Sequence, residues 1–184
     1  MNNTSEEFDI VAAQCQDIFA KKAVDYGTAW RILRTASLTD QIYIKAQRIR
    51  SIEQKGVSLV HEGVLPEYIG IVNYSVMALI QLEVGVANTM EELMPADEAI
   101  RLYQKHLQQA KSLMCDKNHD YDEAWRKMRR SSLTDIILMK LLRIKQIEDN
   151  GGNTLISEGL DANYLDIINY AMFALIKLHE AEKK

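Results

Sequence analysis

Two stretches of the chain set the same aromatic and charged side chains in the same order: Asp25-Tyr26-Gly27-Thr28-Ala29-Trp30-Arg31-x-x-Arg34 and Asp120-Tyr121-Asp122-Glu123-Ala124-Trp125-Arg126-x-x-Arg129. Between them they hold both tryptophans of the sequence. An indole or phenol offers a flat face on which a nucleobase stacks, and an arginine a few residues on can meet a phosphate or a base edge. On that reading Tyr26, Trp30, Tyr121 and Trp125 contact a base while Arg34 and Arg129 reach phosphates, and Asp25, with Asn73-Tyr74 and Asn169-Tyr170 farther along the chain, belongs to the same ligand-binding set. A structural reading stands beside it, in which the rings anchor a core and Asp25 and Asp120 are turn formers.

A second pair of charges lies where apolar residues are expected. Leu38, Ile42, Ile49 and Ile52 form one stripe of an amphipathic helix, and Lys45 falls inside it with Arg48 at its edge. Leu133, Ile137, Ile144 and Ile147 repeat the stripe around Lys140 and Arg143. Four cations aimed at an interior or a cleft suit an anionic ligand such as a phosphate chain; alternatively the lysine stems cover apolar surface and their ammoniums reach water or a carboxylate. A third, almost wholly apolar helix carries Asn73-Tyr74, repeated as Asn169-Tyr170, and in the second occurrence Asp166 stands one turn before the asparagine, where the first has Gly70. Asp166-x-x-Asn169 could hold Mg²⁺ or pair with the interior lysines; Asp120 and Asp135 complete a candidate metal set. Asp40 and Asp135 also close Ser-Leu-Thr-Asp tetrapeptides that read as helix capping boxes.

These motifs recur because the chain is duplicated. Residues 22–53 align with 117–148 and 59–82 with 155–178, giving 28 identities in 56 positions, with the one inserted residue in Asn150-Gly151-Gly152-Asn153. Apolar periodicity predicts three helices per repeat, near 5–23, 38–55 and 66–85, then near 96–116, 133–149 and 161–182. Thr4-Ser5-Glu6-Glu7 reads as a capping box and Asp161 as an N-cap, while Pro66 and Pro95 suit first-turn positions. Short helical turns are expected at 28–35 and 123–130. The expected architecture is an all-α six-helix bundle with a pseudo-two-fold, one compact domain over 1–184 made of repeats at 1–85 and 96–184 joined by a linker at 86–95.

Composition narrows the classes. Of 184 residues 47% are hydrophobic and 26% charged, with only 8 Gly and 2 Pro, too few for a turn-rich β fold. A net charge of −4 disfavours duplex DNA as a partner. Cys15 and Cys115 form no paired spacing, and no apolar run approaches the roughly 18 residues that cross a bilayer, so a cytoplasmic protein without a membrane partner is expected. No phosphate-binding glycine loop, nucleophile elbow or zinc-protease motif occurs.

The order Lys22-x-x-Asp25-Tyr26-Gly27-x-Ala29-Trp30, Leu38-Thr39-Asp40, Lys45-x-x-Arg48 and Asn73-Tyr74 resembles the family called nucleotide modification associated domain 1. The second repeat matches it through Lys117, Asp120, Tyr121, Trp125, Leu133 to Asp135, Lys140, Arg143, Asp166, Asn169 and Tyr170. More distantly the chain is similar to the MazG-like all-α pyrophosphohydrolases, although Lys and Arg stand where those enzymes carry acidic Mg²⁺ ligands. The resemblance implies a nucleotide or nucleoside phosphate as partner in base or nucleotide modification, with Mg²⁺-assisted phosphoanhydride hydrolysis as the reaction if there is one. The competing expectation is a non-catalytic helical scaffold. A homodimer is compatible with either.

Overall fold

The stripes and caps read above resolve into six α-helices in a computed structural model that describes residues 3–56, 63–155 and 158–184. They are α1 (Thr4–Tyr26), α2 (Thr35–Lys55), α3 (Leu65–Val84), α4 (Ala96–Tyr121), α5 (Arg130–Asp149) and α6 (Leu160–Glu182). Turns of 3-10 helix at Ala29–Ile32 and Ala124–Lys127 join the first two helices of each repeat, and a third, Met90–Glu92, lies in the linker. Among the described residues there is no strand. Of the aligned blocks, positions 59–62 and 156–157 lie outside the described residues.

α3 and α6 are central because they are apolar nearly all round: Tyr68, Ile71, Val72, Val76 and Ile80 are fully buried, as are Tyr164, Ile167, Ile168, Ala171 and Met172. They pack on each other, and each carries the second helix of its own repeat on one side, α2 on α3 and α5 on α6. The like helices also meet, α2 with α5 and α1 with α4, and the α-helix pairs inside one repeat, α2 on α3 and α1 on α3, correspond to α5 on α6 and α4 on α6 inside the other. One apolar cluster draws residues from all six helices.

The helix starts differ from the sequence reading. α1 begins at Thr4, whose hydroxyl donates to Glu123 of the other repeat. α2 begins at Thr35 after an extended Arg34, which puts Ser37 to Asp40 inside the helix rather than at its cap. There Leu38 is fully buried and the Thr39 hydroxyl lies 3.0 Å from the Thr35 carbonyl and 2.7 Å from the Tyr164 hydroxyl. α5 does the same: it starts at Arg130, and Thr134 lies 3.3 Å from the Arg130 carbonyl and 2.7 Å from the Tyr68 hydroxyl. The Ser-Leu-Thr-Asp tetrapeptide is thus a contact between repeats. α6 begins at Leu160 after Gly159, so Asp161 sits in the first turn, where its charge suits the helix dipole, and is not the N-cap.

Candidate functional site

Where α1 runs out into its 3-10 turn and crosses α3, each repeat leaves a cavity. The first, of about 700 Å³, is walled by Phe19, Lys22, Tyr26, Trp30, Leu33, Lys45, Glu67, Gly70, Asn73, Tyr74 and Met77 among others. The second, of about 290 Å³, uses the equivalent positions: Met114, Lys117, Tyr121, Trp125, Met128, Asp166, Asn169, Tyr170 and Phe173. Both walls are mainly apolar, but the two repeats fill them differently.

In the second repeat Trp125 is buried and lies flat against Phe173, ring centroids 4.4 Å apart and planes 4° from parallel. Arg126 covers the indole at 4.6 Å from its centroid, itself held by Glu7, Glu123 and Glu180. Asp166 accepts from Lys117 Nζ at 2.7 Å and Lys140 Nζ at 2.8 Å, one ammonium on each oxygen. Burial raises the Asp166 pKa, but these two cations outweigh it and hold the carboxyl below its ordinary 3.8. Both the aromatic face and the charge of this cavity are satisfied from within.

In the first repeat Met77 replaces Phe173 and Gly70 replaces Asp166. Trp30 is half-buried, touched edge-on by Phe19 at 6.2 Å, and no ring among the described residues stacks on it. Lys22 is exposed and makes no ion pair among the described residues. Lys45 lies 3.6 Å from Glu67 and 5.7 Å from the centroid of Tyr74, while Arg48 sits closer to the same carboxylate, at 2.8 Å. Tyr26 is 74% exposed at the mouth.

Of the candidate residues, the structure brings Tyr26, Trp30, Lys45, Asn73 and Tyr74 to one cavity and Tyr121, Trp125, Asp166, Asn169 and Tyr170 to the other. Asn73 has structural partners: its amide donates to the Cys15 carbonyl at 3.1 Å and its oxygen accepts from Tyr103 at 2.7 Å. Asn169 likewise donates to the Ala110 carbonyl, at 3.0 Å. Asp25, Arg34 and Arg129 are exposed and outside both linings; Lys140 meets the second cavity through Asp166, and Arg143 faces a separate groove that Lys140 also lines. The candidate metal carboxylates are not brought together: Asp166 is taken by two lysines, Asp120 lies on the surface beside His119, and Asp135 is 3.8 Å from Arg50. Among the described residues no three His, Cys, Asp or Glu side chains converge on a metal position, so this set does not fit Mg²⁺. Lys22, Glu67 and Gly70 were missed as site residues; for Lys22 the signal was its repetition as Lys117 ahead of each Asp-Tyr pair.

Fold and site together define a duplicated all-α bundle in which each repeat builds an aromatic and lysine-lined cavity between its first and third helices. The model of nucleotide modification associated domain 1 matches residues 22–82 and again 117–178, about two thirds of the chain. The chain belongs to that family, in two tandem copies, and the family links it to nucleotide modification. No curated protein and no solved structure matches it. No helix among the described residues is long and apolar enough to cross a membrane.

Proposed function

We propose that the chain binds a nucleotide in the cavity of its first repeat, with the base against Trp30 and the phosphate end toward the lysines. The observation that carries this reading is the contrast between the two indoles: Trp125 is stacked on Phe173, whereas no ring among the described residues stacks on Trp30, which lines a cavity of about 700 Å³, within the roughly 300–1,000 Å³ typical of small-molecule sites. Tyr26 and Tyr74 line the same cavity, so a planar base finds aromatic and apolar walls with ammoniums beside them. The family's link to nucleotide modification supports the same ligand class. Binding here needs no metal, since Glu67, the carboxylate that lines the cavity among the described residues, is held by Lys45 and Arg48.

Thermal shift with nucleoside mono-, di- and triphosphates, each with and without Mg²⁺, tests it. A ligand at a hundred times its Kd adds about 2.7 kcal/mol to the native state. The expected result is a base-dependent rise in Tm that is unchanged by Mg²⁺ and lost in Trp30→Ala. No shift with any nucleotide at millimolar concentration would overturn the reading and favour the scaffold.

A further inference from the structure

The two cavities are copies of one design, so what fills the second indicates what the first lacks. Asp166 Oδ1 is 2.7 Å from Lys117 and its Oδ2 is 2.8 Å from Lys140, a carboxylate bridging two ammoniums at charge-assisted hydrogen-bond distance. In the first repeat the equivalent lysines, Lys22 and Lys45, are both present and the anion is not: position 70 is glycine. A Cβ at Gly70 would lie 2.5 Å from Cδ and Cε of Lys45, so the lysine stem rests where the aspartate side chain begins in the other repeat. Among the described residues the carboxylate nearest Lys45, Glu67, is 3.6 Å away and is shared with Arg48. Lys22 has no carboxylate partner among the described residues.

We infer that Gly70, Lys22 and Lys45 form a seat for one phosphate group, and that the ligand is therefore a nucleoside monophosphate, with Asp166 standing permanently in the corresponding seat of the second repeat. The seat is independent of the base; the word nucleoside rests on the proposed function above. Charge decides the phosphate number. A phosphate monoester carries about −1.5 to −2 at neutral pH, which two ammoniums match. A triphosphate would bring further negative charge to a wall whose carboxylate among the described residues is Glu67, and neither Arg34 nor Arg48 lines the cavity to receive it.

The test is Gly70→Asp, which writes the second repeat's anion into the first, with Gly70→Ala to separate bulk from charge. Lys22→Gln, on an exposed side chain, removes one cation without touching the core. Binding of nucleoside monophosphates, the parent nucleosides, the triphosphates and inorganic phosphate is followed by calorimetry and Trp30 fluorescence. The expected result is that monophosphates bind the wild type about tenfold or more tighter than nucleosides and no weaker than triphosphates. Gly70→Asp and Lys22→Gln then lose that advantage; Gly70→Ala, whose Cβ shifts the Lys45 stem but adds no negative charge, loses less of it than Gly70→Asp does, and the Tm of Gly70→Asp does not fall. Nucleosides binding as tightly as monophosphates, or full monophosphate affinity in Gly70→Asp, would overturn the seat and leave the base site standing. A clear preference for triphosphates would overturn the ligand class. Inorganic phosphate binding that is lost in Gly70→Asp, with no nucleotide binding, would keep the seat and overturn the nucleotide reading; no binding by any phosphate-bearing probe would overturn both.

Discussion

A single hydroxyl separates the environments of Asn73 and Asn169. Each asparagine is buried on a central helix and donates to a carbonyl of the first helix of its repeat, Cys15 for one and Ala110 for the other. Asn73 Oδ1 accepts from Tyr103, but the residue at the equivalent place for Asn169 is Phe8, and Asn169 Oδ1 is buried without a hydrogen-bond partner among the described residues. A buried acceptor left unpaired forfeits its hydration with no return. Phe8→Tyr should therefore supply the missing donor. The expected gain is about 1 kcal/mol, or roughly 2–4 °C in Tm for a chain of this size. Thermal melts compare it with the wild type and with Phe8→Tyr/Asn169→Leu, in which the gain should vanish; an equal gain in the double variant would show that the hydroxyl acts elsewhere. At this scale the sequence was legible as residue type: both Asn-Tyr pairs stood out as special. Their partners were not, because the phenol that completes Asn73 comes from α4, 30 residues away in sequence and in the other repeat.

Between elements, the seam of α2 and α5 shows what periodicity reveals and what it hides. Alternating stripes such as Leu38, Ile42 and Ile49 locate both helices, since their burial is imposed by spacing alone. The same stripes cannot say that Thr39 and Thr134 face tyrosines across the seam, so a local capping rule claimed residues whose partners are tertiary. The polar clusters there are unequal. Glu53 has Arg130 3.9 Å away, whereas Glu148 has Thr35 at the position equivalent to Arg130 and makes no ion pair among the described residues. It takes hydrogen bonds instead, with the Thr39 hydroxyl at 2.9 Å and the Tyr164 hydroxyl at 3.4 Å from Oε1. Burial, and then the nearby charges of Asp40 and Asp149, raise its pKa above the ordinary 4.5. The folded protein thus holds this proton more tightly than the unfolded chain does, and stability is lost as the pH rises through 4.5 to the folded value and stays lost above it. Glu148→Gln keeps the accepting oxygen and removes the charge. Its Tm should exceed the wild type's at pH 7 and the gap should close as the pH falls below 4.5; a gap independent of pH would assign the effect to packing.

For the molecule as a whole, duplication joins in one chain two halves that a single-copy relative would have to pair between chains, and it leaves the two cavities able to diverge. The reciprocal pairs across the axis, Asp40 with Lys145 and Asp135 with Arg50, keep the halves aligned while the cavities differ. Sequence showed the divergence as one substitution, Gly70 against Asp166, but its consequence depends on where Lys117, Lys140 and Phe173 converge, which alignment does not give. In the second repeat, with Asp166 held below its ordinary 3.8, its two ion pairs contribute fully at neutral pH and are lost only as the pH falls below that value. The first repeat keeps the open cavity, so calorimetry should find one nucleotide per chain in the wild type, not two. Asp166→Gly alone should leave that number at one, because Phe173 still covers Trp125, and should lower Tm at neutral pH by leaving Lys117 and Lys140 without their carboxylate. Adding Phe173→Met puts in the residue that the first repeat carries at that position, removing the ring stacked on Trp125 and vacating the seat together. The double variant should then bind two. A stoichiometry of two in the wild type would mean that Asp166 yields its place to the ligand and that the halves work as equals; a stoichiometry of one in a folded double variant would mean that the cavity depends on more of its wall than the indole face and the anion seat.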